Sequence, residues 1–177
     1  MNDTARSLNA AWKLLRFEKA AIDDFDDTIV GFWRSFRAMF LVLPLFMVFL
    51  SMRTDVDMDL SVWTGEVLIY AISWFAFPVV MAFVADRMGA FKNYKRFIVA
   101  YNWSSVWQNV IYLPIIMFVK LNVLPPELSI FALLFVLIYS WFVARTALDI
   151  STGTAIGVVM LDFFLGIFIQ FAPDKFL

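Results

Sequence analysis

The sequence predicts an all-α, polytopic membrane protein in which five transmembrane helices follow an N-terminal amphipathic interfacial helix. Three observations carry that expectation. The chain is 63% hydrophobic and only 16% charged over 177 residues, whereas a soluble domain is nearer half apolar and about a quarter charged. Its apolar residues gather in runs close to the roughly 20 that cross a bilayer. Its cations are shared unevenly between the loops that join those runs. A single small core could not hide this much apolar surface from water, so lipid must solvate much of it.

Residues 1–31 read as a cytoplasmic arm. Within it Ser7 to Ile22 is expected to be helical, because Leu8, Ala11, Trp12, Leu15 and Ile22 fall at helical spacing. Arg6, Lys13, Arg16 and Lys19 supply a basic flank, and with Trp12 they form the expected membrane-surface site. The alternative is that this helix packs on the protein's own cytoplasmic loops. The run Asp23-Asp-Phe-Asp-Asp27 is expected to be a solvated turn that caps a helix entering the membrane at Thr28; a contact with a basic partner or divalent ions is the other reading.

Residues 32–172 form the expected transmembrane domain, with 173–177 a short C-terminal tail. The spans are Phe32 to Met52, Val62 to Ala85, Phe97 to Val119, Leu128 to Ala147 and Thr152 to Phe171. In the first, Ala38 to Met52 is free of charge but covers only about 22 Å. Phe32, Trp33 and Phe36 extend it if Arg34 and Arg37 snorkel to the headgroups. The polar and amphipathic residues before this run argue against a signal peptide. Pro44, Pro78 and Pro114 predict kinks or freed carbonyls, and Gly153 and Gly157 predict close helix approach.

The short connections suit hairpins between antiparallel spans. Arg6, Lys13, Arg16, Lys19, Arg34 and Arg37 in the arm, Arg87, Lys92, Lys95 and Arg96 in the second loop and Arg145 lie on one side. Only Arg53, Lys120 and Lys175 lie on the other. The positive-inside rule then places the N-terminus in the cytoplasm and the C-terminus outside, with a bacterial inner membrane the expected location. No internal repeat is visible, so the inverted halves of secondary transporters are not predicted.

With neither Cys nor His, thiolate nucleophiles, zinc sites, haem histidines and Ser-His-Asp triads are excluded. The formal charge of -1 gives no bulk attraction for nucleic acid. No cofactor is expected, and the expected partners are the bilayer and either another membrane protein or a second copy.

Asp162 is the sharpest single residue, because an ionised carboxylate at mid-span costs roughly 3 kcal/mol on insertion scales. In the third span Tyr101, Ser105, Gln108 and Tyr112 recur at helical spacing, with Asn102 and Asn109 beside them. Gln108 and Asp162 both lie about 16 Å from the starts of their spans, so they are expected to share one depth. The functional reading is a polar seam for a proton, cation or polar solute. The structural reading is a hydrogen-bonded helix contact. Arg145 and Asp149, four residues apart, suit an ion pair.

The outer loop places Asp55, Asp57, Asp59 and Glu66 at positions 1, 3, 5 and 12 of a calcium-loop pattern. Leu60 stands where the turn wants Gly, so the competing expectation is that Asp59 or Ser61 caps the second span.

The span count, the cytoplasmic N-terminus, the KNYKRF stretch from Lys92 to Phe97 and the IYSWFVARTAL span followed by STGTA together resemble the Yip1-like superfamily of small five-span membrane proteins. The likeness covers about Arg34 to Phe171; the Asp-Leu-x-Gly-Pro motif of eukaryotic members is absent, with LVLPLF the nearest string. The resemblance implies a non-enzymatic scaffold or trafficking-type protein. The leading expectation is therefore a non-catalytic scaffold or accessory subunit, and the second is a small transporter or ion pathway through the third-span seam and Asp162.

Overall fold

The computed structural model describes residues 3–52 and 59–171, and the described residues are helices and their connections. α1 (Asp3–Leu15) is followed by a 3-10 helix, Lys19–Asp24. α2 (Ile29–Ser35) and α3 (Ala38–Ser51) lead to α4 (Leu60–Arg87). A short 3-10 turn, Phe91–Asn93, precedes α5 (Tyr94–Lys120), and α6 (Glu127–Leu148) and α7 (Thr152–Phe171) complete the described chain. Residues 173–177 lie outside the described residues.

Four stretches are long and apolar enough to cross a bilayer: Ile29–Ser51, Leu60–Arg87, Glu127–Leu148 and Thr152–Gln170. Their outward faces carry large apolar side chains, with Phe83 69% and Phe168 67% exposed. Faces so rich in exposed aromatics suit lipid rather than water. α5 is as long but less apolar, and the reason is its position. It packs against α1, α2, α3, α4 and α6, and Ile98, Ala100 and Asn102 are wholly buried. A helix covered by protein has no need of an apolar outer face.

The expected helix from Ser7 to Ile22 is not continuous. α1 stops at Leu15 because Phe17 adopts a left-handed conformation (φ 61). The Glu18 N–H then bonds Lys13 O at 3.1 Å and the Phe17 N–H bonds Leu14 O at 2.8 Å, the pair of bonds that closes a Schellman cap. The protein-facing side of α1 is Ser7, Ala10, Ala11 and Leu14. Small residues let it lie close to α5 and α6, while Trp12 stays 42% exposed.

The first expected span is broken into α2 and α3. At the break Arg37 N bonds Arg34 O (3.0 Å), and Met39 N and Phe40 N bond carbonyls three residues back, which tightens the chain into a 3-10 step. Thr28 caps α2 by accepting from Gly31 N at 3.1 Å, and Asp26 Oδ1 accepts from Thr28 N at 3.1 Å. Gly31 is required here: a Cβ would collide with the Asp26 backbone.

Two further expectations fail locally. Gly153 and Gly157 face open space, and the buried stripe of α7 is Ala155, Val158 and Val159 instead. Arg145 and Asp149 form no ion pair among the described residues. Asp149 is a left-handed cap (φ 56), which removes it from the helical register, and Arg145 lies over the Trp141 ring at 5.5 Å. The KNYKRF stretch has a plain structural use. Asn93 Nδ2 donates to Leu148 O (2.8 Å) and Arg96 Nε to Ala147 O (2.9 Å), satisfying carbonyls that the end of α6 leaves open.

Candidate functional site

The polar residues of α5 fan out to several neighbours rather than lining one path. A helix turns about 100° per residue, so Tyr101, Ser105, Gln108 and Tyr112 share a stripe and Asn102 stands about a quarter-turn away. Asn102 Nδ2 accordingly donates to Ser35 Oγ on α2 (2.8 Å), and Ser35 in turn donates to Phe32 O (2.7 Å). Gln108 bonds Ser140 on α6 at 3.0 Å. Tyr101 donates to Asp162 Oδ1 on α7 at 3.0 Å. Asp162 thus meets the first residue of the stripe, not Gln108.

α1 is held by two side chains from the bundle. Trp107 Nε1 donates to Leu8 O (3.0 Å), and the Trp12 and Trp107 rings lie 4.9 Å apart. Tyr139 Oη lies 2.8 Å from Ala11 O and 2.9 Å from Ser104 Oγ. A phenol has one proton, so it goes to the carbonyl, which has none, and the Ser104 proton serves the second contact.

One part of the seam remains open. A cavity of about 240 Å³ lies between α3, α4 and α5, and Ser105, Gln108, Asn109 and Tyr101 form its α5 wall. Tyr70, Ser73 and Trp74 of α4 form the opposite wall. Asn102 and Asp162 are not part of its lining. The α4 residues were not among the expected site residues, although Tyr70 and Ser73, three apart in an apolar span, are a legible polar edge. Ser35, Ser104 and Ser140 gave no usable signal, because a single serine in an apolar run is ordinary.

The basic residues of the arm are largely answered by its own acids. Arg6, Lys13, Arg16, Lys19, Arg34 and Arg37 face an equal number in Asp3, Glu18, Asp23, Asp24, Asp26 and Asp27. Lys13 pairs with Asp24 at 2.8 Å, Arg16 with Glu18 at 3.2 Å and Arg34 with Asp3 at 2.5 Å. The Asp24 hydrogen bond and charge raise the Lys13 amine above its ordinary value. The Thr28 hydroxyl, followed by its N–H and by Arg6 and Arg34, holds the Asp26 carboxyl below the usual range against the opposing effect of partial burial.

At the other end, Asp59 accepts from Val62 N (2.9 Å) and Ser61 Oγ (2.8 Å). The Val62 bond is the first cause of its lowered carboxyl value. Asp59 is thus the cap of α4, and Glu66 lies within that helix. Asp55 and Asp57 lie outside the described residues, among which no three carboxylates gather to hold a metal. Comparison with protein-family models, curated proteins and solved structures finds no match.

Proposed function

We propose that this chain is a non-catalytic integral membrane protein of five transmembrane helices, acting as a scaffold or accessory subunit of a membrane complex. The observation that supports this reading is the disposition of the α5 polar groups. Through Asn102, Ser104, Gln108 and Tyr101 they tie α5 to α2, α6 and α7 by direct hydrogen bonds. Groups engaged in this way act as interhelical glue. α5 is the fifth span in this reading, its lower hydropathy following from its cover of neighbouring helices. The Yip1-like resemblance points the same way, as does the lack of His and Cys.

In this proposal the N-terminus is cytoplasmic, the C-terminus is outside and the host is a bacterial inner membrane. Arg6, Arg16, Lys19 and Trp12 rim the exposed side of the arm at the headgroup level, with Arg16 paired to Glu18 and Lys13 to Asp24. The open cavity favours a second reading, a small transporter or ion pathway. Two measurements separate them. The scaffold reading expects a complex of larger mass in nanodiscs cut from native membranes, and no proton or cation flux in proteoliposomes. Flux that Asp162→Asn abolishes while the fold is retained would establish the transport reading instead.

A further inference from the structure

We infer that the cavity between α3, α4 and α5 binds the ammonium group of a small primary amine, whether a free solute or the amino headgroup of a lipid. The inference rests on where the protons of the lining point. Tyr70 donates its hydroxyl proton to Met39 O (2.5 Å), Ser73 to Ile69 O (2.8 Å) and Ser105 to Tyr101 O (2.9 Å). A carbonyl has no proton to return, so each direction is dictated by chemistry. The Tyr101 proton goes to Asp162. Asn109 must turn Nδ2 toward Ser105 O (2.8 Å), which leaves Oδ1 without a partner among the described residues.

The lining therefore offers lone pairs and few protons. Neither Lys nor Arg contributes to it, so an anion would find no positive charge, only the neutral N–H groups of Gln108, Asn109 and Trp74, the last of which is engaged by the Tyr70 hydroxyl. A donor-rich cation finds acceptors beside three aromatic side chains, Phe46, Tyr70 and Trp74; Phe46 and Tyr70 stack on each other at 4.6 Å, so only the faces turned away from that stack are open to it. Cations are attracted to such faces. Behind the Tyr101 hydroxyl stands the Asp162 carboxyl group. At about 240 Å³ the space is far larger than one water requires. The inference does not rest on the scaffold reading, since a bound amine would serve a scaffold as a structural ligand and a transporter as cargo.

The test is binding to the purified full chain in a maltoside detergent, which carries no amine. Ethanolamine hydrochloride is titrated against Tm, with glycerol and sodium acetate in parallel. The expected result is a saturable rise in Tm with ethanolamine alone. In Asn109→Leu and in Ser73→Ala the apparent Kd should weaken at least about tenfold, which is about 1.4 kcal/mol. Both side chains bond only within their own helices, so the variants should keep the fold, and an unchanged Tm without ligand verifies this.

A second arm identifies the source. Native mass spectrometry of protein from nanodiscs of mixed phosphatidylethanolamine and phosphatidylcholine reads which lipid is retained. Preferential phosphatidylethanolamine, lost in both variants, assigns the headgroup; a response to free ethanolamine without lipid preference assigns a soluble amine. No response in either arm, an equal response to glycerol or acetate, or binding unchanged in the variants overturns the inference.

Discussion

Replacing Tyr139 by Phe isolates the hydrogen bonds that hold α1 to the bundle. The side chain is wholly buried, and Phe keeps the ring and its packing while removing one oxygen. That oxygen lies 2.8 Å from Ala11 O and 2.9 Å from Ser104 Oγ. Two buried bonds at about 1 kcal/mol each would set the loss near 2 kcal/mol. Both partners have partial alternatives: Ala11 O keeps its place in the α1 ladder, and Ser104 can turn to a carbonyl one helical turn back. The expected destabilisation is therefore about 1–2 kcal/mol, or about 2–8 °C in Tm for a chain of this size. A scan in detergent measures the total, and limited trypsin digestion at Lys13, Arg16 and Lys19 reports whether the arm has loosened. Tyr112→Phe is the control, because the Tyr112 hydroxyl makes no hydrogen bond among the described residues. If Tyr139→Phe digests and melts like Tyr112→Phe, the reasoning about the arm is wrong.

Three other outcomes follow from particular contacts. Ser35→Ala should cost about 1–3 kcal/mol because it strands the buried Nδ2 of Asn102, whereas Asn102→Leu should lie within about 1 kcal/mol of the parent. Ser35 keeps its bond to Phe32 O in the second variant, and the amide removed carries an Oδ1 that already lacks a partner; equal melting of the two would refute this asymmetry. Gly31→Ala should destabilise by about 1–3 kcal/mol through overpacking against Asp26, and a neutral effect on Tm would show that the turn before α2 can give way. Stability should fall on the acid side below the ordinary carboxyl value of 3.8. The lowered values of Asp26 and Asp59 mean that their contributions are present above that value and lost as pH drops through the folded one. The Lys13 contribution has the opposite sign, present below 10.5 and lost as pH rises past it. A plateau in Tm between these limits is expected, and a maximum shifted outside them would contradict the assigned pairs.

Which parts of this structure were legible in the sequence follows from where the signals come from. Thr152 was readable as the start of α7, because a polar turn precedes it and an apolar run follows, exposed over much of its surface. The break at Phe36 and Arg37 was not, since apolar periodicity runs through a 3-10 step without change. Likewise Phe17 in a left-handed conformation ends α1 where Gly would be the usual sign. Of the α5 residues that line the cavity, Tyr101, Ser105 and Gln108 are grouped by helical spacing in the sequence, and Asn109 stands beside them. Their partners were not legible, because a stripe on one helix says nothing about which neighbour faces it. Asn102, a quarter-turn away, shows how a list of polar residues in one span divides once three dimensions separate them.

The same geometry bears on how deep the charged groups sit. A small recess of about 20 Å³ brings Arg34 and Arg37 beside Val99 and Trp103 of α5, together with Asp3 and Asp26. Charges of both signs at that height are at home among headgroups, not in hydrocarbon. If α5 crosses the membrane, its hydrocarbon segment then begins near Val99 rather than at Tyr94, and the stretch from Val99 to Lys120 still covers about 32 Å, enough for a core of about 30 Å. The first turn of α5, where Asn93 and Arg96 close the end of α6, would be left in the headgroup region. Tyr101 would then stand just inside that boundary, and Asp162, which accepts its hydroxyl proton, would lie within the reach of one tyrosine side chain from it. A carboxyl group so placed would be much less costly than one at the bilayer centre, and counting residues from the start of α7 would then overstate its depth, because the count takes no account of where the neighbouring arginines hold the interface.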